Sequence, residues 1–470
     1  MNSAEYLKSL NDGRVTFFEG EKVDNIVEHP ILGKAAQYLA QSYDQIQQIV
    51  AEEGESPFGF VPHSPDELRA FTKRQVELGM IFNVTYTSLQ TLKTAASRLQ
   101  QLDPVYRERI EAYSKYVVDN DLRVTQCITD GKGDRAKSPK DQRDPDAYLR
   151  VVERRPDGVV IRGAKLHISL ASFGHELLVI PTKAMKPGEE DYSIACAVPV
   201  NAPGVKIMNV SFSPRVSDDR SFPHSSRVHQ YVEGFVVFDD VFVPNDRIFL
   251  NGEQQFAGVF AHSLGLWERL AGLTEMAEEA EELLGLAQLI SEANGIDKIA
   301  HVRIKISDLI TYATLIRCTV EAAIAQCEVN EKGEVFPNEL YTNAGKFYAA
   351  DNFHAMTKHL HDLGGGSILT APTPADFENS EFGPYAEKYM ATKEGVSGAY
   401  RSQLFNAIRD VTADTQGGWR KVTHIQSGGG LFAQRIVMRK HYPMERAKAR
   451  GLHAAGLDTE ATAMLKPAAE

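Results

Sequence analysis

A chain of 470 residues exceeds one typical hydrophobic core, so two or three packed units are expected. Its 43% hydrophobic and 24% charged residues are the composition of a globular protein with a large buried interior. A formal net charge of −12, with no extended Lys/Arg run, excludes the phosphate-neutralising surface of a sequence-independent nucleic-acid binder.

The polar start MNSAEYLKSLNDGRV has no secretory apolar core, and no stretch reaches about 18 continuous apolar residues. A cytoplasmic protein without a membrane span is therefore expected. From Ser64 to Val117 apolar residues recur at three and four spacing, the helical period. Ser64 and Asp103 stand at N-cap positions, each followed by a proline that suits the first helical residue. From Leu122 to Leu250 the period becomes two. LRVVERRPDGVVIRGAK reads as a hairpin turning at RPDG, and HELLVIPT, YSIACAVPV and YVEGFVVFDDVFVP as further strands. The triplet Pro244-Asn245-Asp246 is turn chemistry that closes the last of them.

Helical periodicity returns from Ala257 in EMAEEAEELLGLAQLISEA, HVRIKISDLITYATLIRCTVEAAIAQCEV, NAGKFYAADNFHAMTKHLHDL and a last stretch near FAQRIVMRKHYPMERAKA. The predicted organisation is a helical unit over residues 1–121, a β unit over 122–252 and a helical bundle over 253–470. Strands confined to the middle, with no GxGxxG after any of them, exclude a doubly wound dinucleotide fold. The four cysteines, Cys127, Cys196, Cys318 and Cys327, show no metal-binding spacing and read as buried, reduced thiols.

Three segments carry candidate chemistry. In QCITDGKGDR (126–135), Thr129, Asp130 and Lys132 could match the donors and acceptors of a heteroaromatic ring; the plainer alternative is a polar turn. In GAKLHISLASFGHE (163–176), regular alternation would place His167 and Ser169 on one strand face, costly in an apolar sheet unless that face meets water or a ligand. In QSGGGLFAQR (426–435) a glycine run precedes a helix and could set backbone amides against a diphosphate; a tight turn is the alternative.

Strings in consistent order over most of the chain resemble one family. DGVVIRGAK, VPVNAPGVK, FPHSSR, FDDVFVPNDR and the late glycine run resemble the flavoproteins that include 4-hydroxyphenylacetate 3-monooxygenase (large component) and 4-hydroxybutyryl-CoA dehydratase. The resemblance implies an α+β, acyl-CoA-dehydrogenase-like fold: helical N-terminal domain, middle β domain, and a C-terminal bundle that assembles a homodimer or homotetramer. It implies FAD between the β domain and the bundle. Gln126, Thr129, Lys132, Asp134, Arg135 and Ser169 would lie on the flavin, and Ser427, Gly428, Gly429 and Gly430 on its diphosphate or adenosine side.

The two branches differ in chemistry. The dehydratase branch holds a four-iron cluster on three cysteines and a histidine. Here the N-terminal helix reads GMIFNVTYTSL without cysteine, and gap-free matching puts Glu268 and Glu275 at two ligand positions. Carboxylates do not replace thiolates on such a cluster, so its absence is expected. Glu233 matches an acid of the dehydratase site, but no acid stands in GWRKVTH where another belongs. FPHSSR resembles the YPLSSR of the monooxygenase branch, with its serines and Arg227 beside the flavin-supporting strand.

The resemblance therefore favours a two-component monooxygenase. A separate NAD(P)H flavin reductase would supply reduced FAD, and O2 would hydroxylate an aromatic or phenolic small molecule. Arg74, Gln126 and His167 would surround the substrate. Gln126 replaces a histidine and cannot take a proton near neutral pH, so His167 becomes the candidate base, or else a hydrogen-bond partner of the flavin edge. The alternatives are a cluster-free enzyme acting on an acyl-CoA as isomerase, dehydratase or dehydrogenase, and a flavin binder that has lost catalysis.

Overall fold

The computed structural model describes residues 1–99, 103–211, 225 and 232–457, the side chains of residues 80 and 81 excepted. Arg227 and most of FPHSSR lie outside the described residues.

The N-terminal helices are α1 (Ser3–Ser9), α2 (Leu32–Glu53), α3 (Pro65–Arg98) and α4 (Pro104–Asp119). The two predicted N-caps are present. The Ser64 side chain accepts from Glu67 N, and Asp103 Oδ1 accepts from Val105 N at 3.0 Å, each with proline at the first helical position. α3 is interrupted at Gly79, whose φ of 72° leaves the helical region and which only glycine tolerates at low cost.

Two short strands, β1 (Thr16–Phe18) and β2 (Glu21–Val23), lie before α2, so strands are not confined to the middle of the chain. Three-residue strands give too little alternation to read. The central strands are β3 (Val124–Cys127), β4 (Arg150–Arg155), β5 (Gly158–Ser169), β6 (Glu176–Val179), β7 (Ile194–Pro199), β8 (Val205–Ser211), β9 (Val232–Pro244) and β10 (Ile248–Asn251). They form a six-stranded sheet, β2-β1-β8-β9-β5-β4, and a four-stranded sheet, β10-β7-β6-β3. β1 runs parallel to β8, with Thr16 opposite Ile207.

The long β5–β9 ladder carries two irregularities. One falls at the acidic pair of β9, where Asp240 adopts φ 54°. Both aspartates turn outward there, Asp239 to Lys206 at 2.8 Å and Asp240 to Arg162 at 2.6 Å. The other falls between Lys165 and Ile168, where His167 takes φ 59°.

The C-terminal helices are α5 (Gln254–Ala293), α6 (Ala300–Ala325), α7 (Glu339–Gly364), α8 (Ser367–Thr370), α9 (Pro374–Glu378), α10 (Gly383–Met390), α11 (Gly398–Thr412), α12 (Thr415–Gln426), α13 (Leu431–His441) and α14 (Met444–Ala454). A two-stranded ribbon of β11 (Glu328–Val329) and β12 (Val335–Phe336) separates α6 from α7. The last predicted helical stretch is two helices, because Pro443 cannot continue the ladder. The 40-residue α5 buries residues on every side, as a central helix does, and packs on α3, α6 and α7. One core cluster runs continuously from α3 through both sheets into α5, α6 and α7. The expectation of uniformly buried thiols fails: Cys127 and Cys196 are buried in the sheets, but Cys318 is exposed on the outer face of α6 and Cys327 is partly exposed.

Candidate functional site

A helix buried all round has no cheap place for charge, yet α5 carries Glu268, Gly272, Glu275 and Glu279 at spacings that stack on one face. Four elements, α7, α12, α3 and β3, meet that face. From α7 comes Lys346, fully buried, whose Nζ donates to the carbonyl of His424 at 2.6 Å. Gly272 makes the space for it: a Cβ there would stand 3.0 Å from Lys346 Cε. From α12 come Arg420 and His424. Glu279 pairs with Arg420 Nε at 3.0 Å and lies 2.6 Å from His424 Nε2.

Glu268 takes the other end of the stripe. Thr87 Oγ1 of α3 lies 2.7 Å from Glu268 Oε1 and accepts from Gln126 Nε2 of β3 at 2.8 Å. Burial raises the Glu268 carboxyl above its ordinary range, against the donors Thr87 and Gln126. Glu275 lies between these two ends. It is pushed up to about 7, first by burial and then by the charges of Glu279 and Glu268 on its own helix. Among the described residues none donates a hydrogen bond to it. Lys346 moves the opposite way, down to about 8, because burial disfavours its ammonium.

Glu275 faces a cavity of about 360 Å³ between α2, α3, α5 and α12. Tyr38 of α2, Leu78 and Gly79 of α3, and Trp419 and Arg420 of α12 are among its walls. Such a volume lies within the range of small-molecule clefts. Trp419 also reaches the sheet. Its side chain and Ser169 Oγ both hydrogen-bond Glu233 of β9, Ser169 at 3.0 Å to each carboxylate oxygen. Burial still leaves the Glu233 carboxyl raised. The site is thus a half-buried row of carboxyl groups, with Lys346 and Arg420 beside it and one open face.

Residues 2–250 match the family model of the 4-hydroxyphenylacetate 3-hydroxylase N-terminal region, and residues 257–456 match that of its C-terminal region. The chain belongs to the 4-hydroxyphenylacetate 3-hydroxylase family. It is 27% identical to 4-hydroxybutyryl-CoA dehydratase/vinylacetyl-CoA-Delta-isomerase of Clostridium aminobutyricum, over 93% of this chain and 96% of that one. It is 26% identical to the 4-hydroxyphenylacetate 3-monooxygenase oxygenase component of Thermus thermophilus, over 87% and 88%. Among solved structures, the 4-hydroxybutyryl-CoA dehydratase of N. maritimus superposes with a TM-score of 0.86 at 23% identity, covering 97% of this chain and 95% of that one. The oxygenase component of 4-hydroxyphenylacetate 3-monooxygenase complexed with FAD gives 0.84 at 22%, covering 99% and 100%. The fold is acyl-CoA-dehydrogenase-like, α+β, as the sequence strings implied.

Of the sequence-predicted residues, Gln126 is in the site, but bound to Thr87 and Glu268. Arg74 is on α3 one turn before the cavity wall and is held by Glu53 of α2, NH1 to Oε2 at 2.8 Å. His167 and Ser169 do not share a regular strand face, because the left-handed His167 breaks the alternation. His167 is exposed, whereas Ser169 is half-buried on Glu233. Asp130 is buried: its Oδ1 pairs with Lys165 at 2.8 Å and also accepts from Leu149 N, so this oxygen holds the sheet together. Thr129 is half-buried next to that pair, its carbonyl accepting from Leu166 N at 2.7 Å. Lys132 is half-buried at φ 68°, while Asp134 and Arg135 are exposed in a loop clamped by Gln142.

Gly428 and Gly429 adopt φ 67° and 88° in the turn between α12 and α13, and Arg269 Nε donates to Gly428 O at 2.8 Å. Gly430 is the N-cap of α13, and no side chain caps the helix there. Sequence reasoning singled out Glu268 and Glu275 as replaced ligands but missed Lys346, Glu279 and Trp419. The signal was present as acidic residues at helical spacing in an otherwise apolar helix.

Proposed function

We propose that the protein is the oxygenase of a two-component, FAD-dependent monooxygenase that hydroxylates a small aromatic or phenolic molecule. Reduced FAD comes from a separate NAD(P)H flavin reductase, and O2 is the oxidant. One observation carries the choice between branches. The buried face of α5 presents Glu268 and Glu275, hard carboxyl groups bonded to Thr87 and Gln126 or open to a cavity. An iron–sulfur cluster needs soft thiolates, and the chain's four cysteines lie elsewhere, on β3, on β7, on α6 and just after α6. This supports a member without the cluster.

FAD fits the residues present. Lys132 is a half-buried ammonium that no carboxylate pairs with among the described residues, and burial lowers its pKa. Such a cation suits the negative edge of a reduced flavin ring. Thr129, just after β3, and Ser169, at the end of β5, are half-buried polar groups. The uncapped first turn of α13, after Ser427–Gly430, offers backbone N–H groups to a diphosphate. Bound reduced FAD supplies the two electrons that activate O2. The protein's own part is to exclude water from the cavity, orient the ring against Leu78 and Trp419, and hold its hydroxyl among the carboxyl groups.

The exposed apolar side chains Phe432, Tyr389 and Leu369, at 74%, 71% and 69% exposure, support assembly into a homo-oligomer, a dimer or tetramer. The test is turnover of a phenol panel with a generic flavin reductase, scoring product against hydrogen peroxide. Conversion of a CoA ester under anaerobic conditions, with no aerobic phenol product, overturns the proposal in favour of the acyl-CoA alternative.

A further inference from the structure

We infer that Glu275 is the acid–base residue of the cavity, exchanging a proton between its carboxylate and the hydroxyl of the bound phenol. The assignment rests on the monooxygenase reading above and goes beyond it by naming the group that replaces the missing base at Gln126.

Hydrogen bonding already occupies the other candidate groups. Gln126 is a carboxamide already engaged with Thr87 and Glu268. His167 is exposed at a bulge and lines no part of the cavity. Glu268 is occupied by Thr87 and Gln126, and Glu279 by Arg420 and His424. Glu275 alone of this stripe faces open volume with no donor among the described residues. It is half-buried while lining that volume, so a ligand hydroxyl is its natural partner.

The charged and titratable groups around it set its working range. On α5 these are Glu268 and Glu279, which disfavour its ionised form; Lys346 of α7 and Arg420 of α12 favour it. His424 of α12 lies behind Glu279, Tyr38 of α2 lies close enough for Glu275 to raise its phenol, and Glu77 of α3 is on the cavity rim. The balance leaves the Glu275 carboxyl near 7, suited to a group that must both take and return a proton.

In the step, a Glu275 oxygen takes the hydroxyl proton. The electron pair of the broken O–H bond stays on the substrate oxygen and makes the ring a better nucleophile towards the electrophilic oxygen that derives from O2 and the two electrons of reduced FAD. As the new C–O bond forms, the displaced ring hydrogen leaves as a proton that ends, with the second oxygen atom of O2, in water; Glu275 returns its own proton to the substrate oxygen and is unchanged.

The experiment uses the FAD-bound protein with Glu275→Gln and Glu275→Asp variants. The first readout needs no turnover: 4-nitrophenol, coloured when ionised, is titrated with pH while bound. Wild type should hold the probe ionised across neutral pH, Glu275→Gln should shift its apparent pKa upward by a unit or more, and Glu275→Asp should lie between. With a reductase present, Glu275→Gln should bind FAD normally, lose at least about tenfold in coupled hydroxylation, release hydrogen peroxide and lose the pH limb near 7. An unchanged probe titration in Glu275→Gln overturns this assignment while leaving the monooxygenase reading intact. A wild type that binds no phenol overturns both.

Discussion

Lys346 Nζ donates to the carbonyl oxygen of His424 at 2.6 Å, joining α7 to α12 across the carboxyl-bearing face of α5. Its positive charge also lowers the carboxyl groups of Glu268 and Glu275. Lys346→Met should keep the volume filled but remove both effects. The pH midpoint assigned to Glu275 should then move upward, read from bound 4-nitrophenol or the coupling profile. A midpoint that stays in place, or falls, would show that the ammonium does not act on Glu275.

The same carboxyl makes stability depend on pH. Its ordinary value is 4.5 and the fold raises it to about 7. A raised group favours the folded state fully below its unfolded value, and that contribution is lost as pH rises through the folded one. Glu275→Gln, which mimics the neutral form, should therefore match wild type at pH 5 and exceed it at pH 8 by about 1–3 kcal/mol. Urea unfolding at the two pH values measures the difference.

The buried pair of Asp130 and Lys165 predicts a loss without compensation. Asp130→Asn would leave the Lys165 ammonium unpaired in the sheet, at a cost of about 3–5 kcal/mol. Denaturant unfolding should show it. If FAD binding were the residue's task, affinity would fall while stability held.

Glycine substitutions should split by geometry. At Gly428, with φ 67°, an added Cβ would stand 3.0 Å from Arg269 Cγ. Gly428→Ala should cost at least about 1–2 kcal/mol. Gly285, within α5, meets nothing within 4 Å, so Gly285→Ala should stabilise by about 0.5–1 kcal/mol. Thermal unfolding of the two variants checks the pair.

Substrate preference should follow the sign of the walls. Glu77, Glu275, Glu278, Glu279 and Glu282 line the cavity, against Arg420 as the one cation among its lining residues. Phenols bearing a carboxylate should be disfavoured relative to neutral or amine-bearing ones by about tenfold or more in kcat/KM. Better turnover of 4-hydroxyphenylacetate than of unsubstituted phenol would contradict this.

The long elements were legible because each had a period and an end signal. Ser64-Pro65 and Asp103-Pro104 marked two helix starts, and Pro156-Asp157 marked the β4–β5 turn. Pro443 is itself a helix-breaking signal within the last helical stretch. The short helices between residues 374 and 426 offered few turns over which to see a stripe. In the site, Gln126 was found through its string, but Lys346 and Trp419 come from distant helices and approach α5 only in the folded bundle. His167 was misplaced for a local reason: one left-handed residue in β5 displaces all that alternation predicts beyond it.

The parallel pairing of β1 with β8 also sets a schedule. Thr16 leaves the ribosome well before Ile207, its partner, with 191 positions between them. At cellular synthesis rates that delay is roughly ten to forty seconds. Throughout it the first strand and the apolar groups beside it, Tyr6, Phe18 and Ile26, have α2 to cover them but no sheet to join. The order of synthesis thus leaves the chain's opening strand without its parallel partner until most of the β unit has been made.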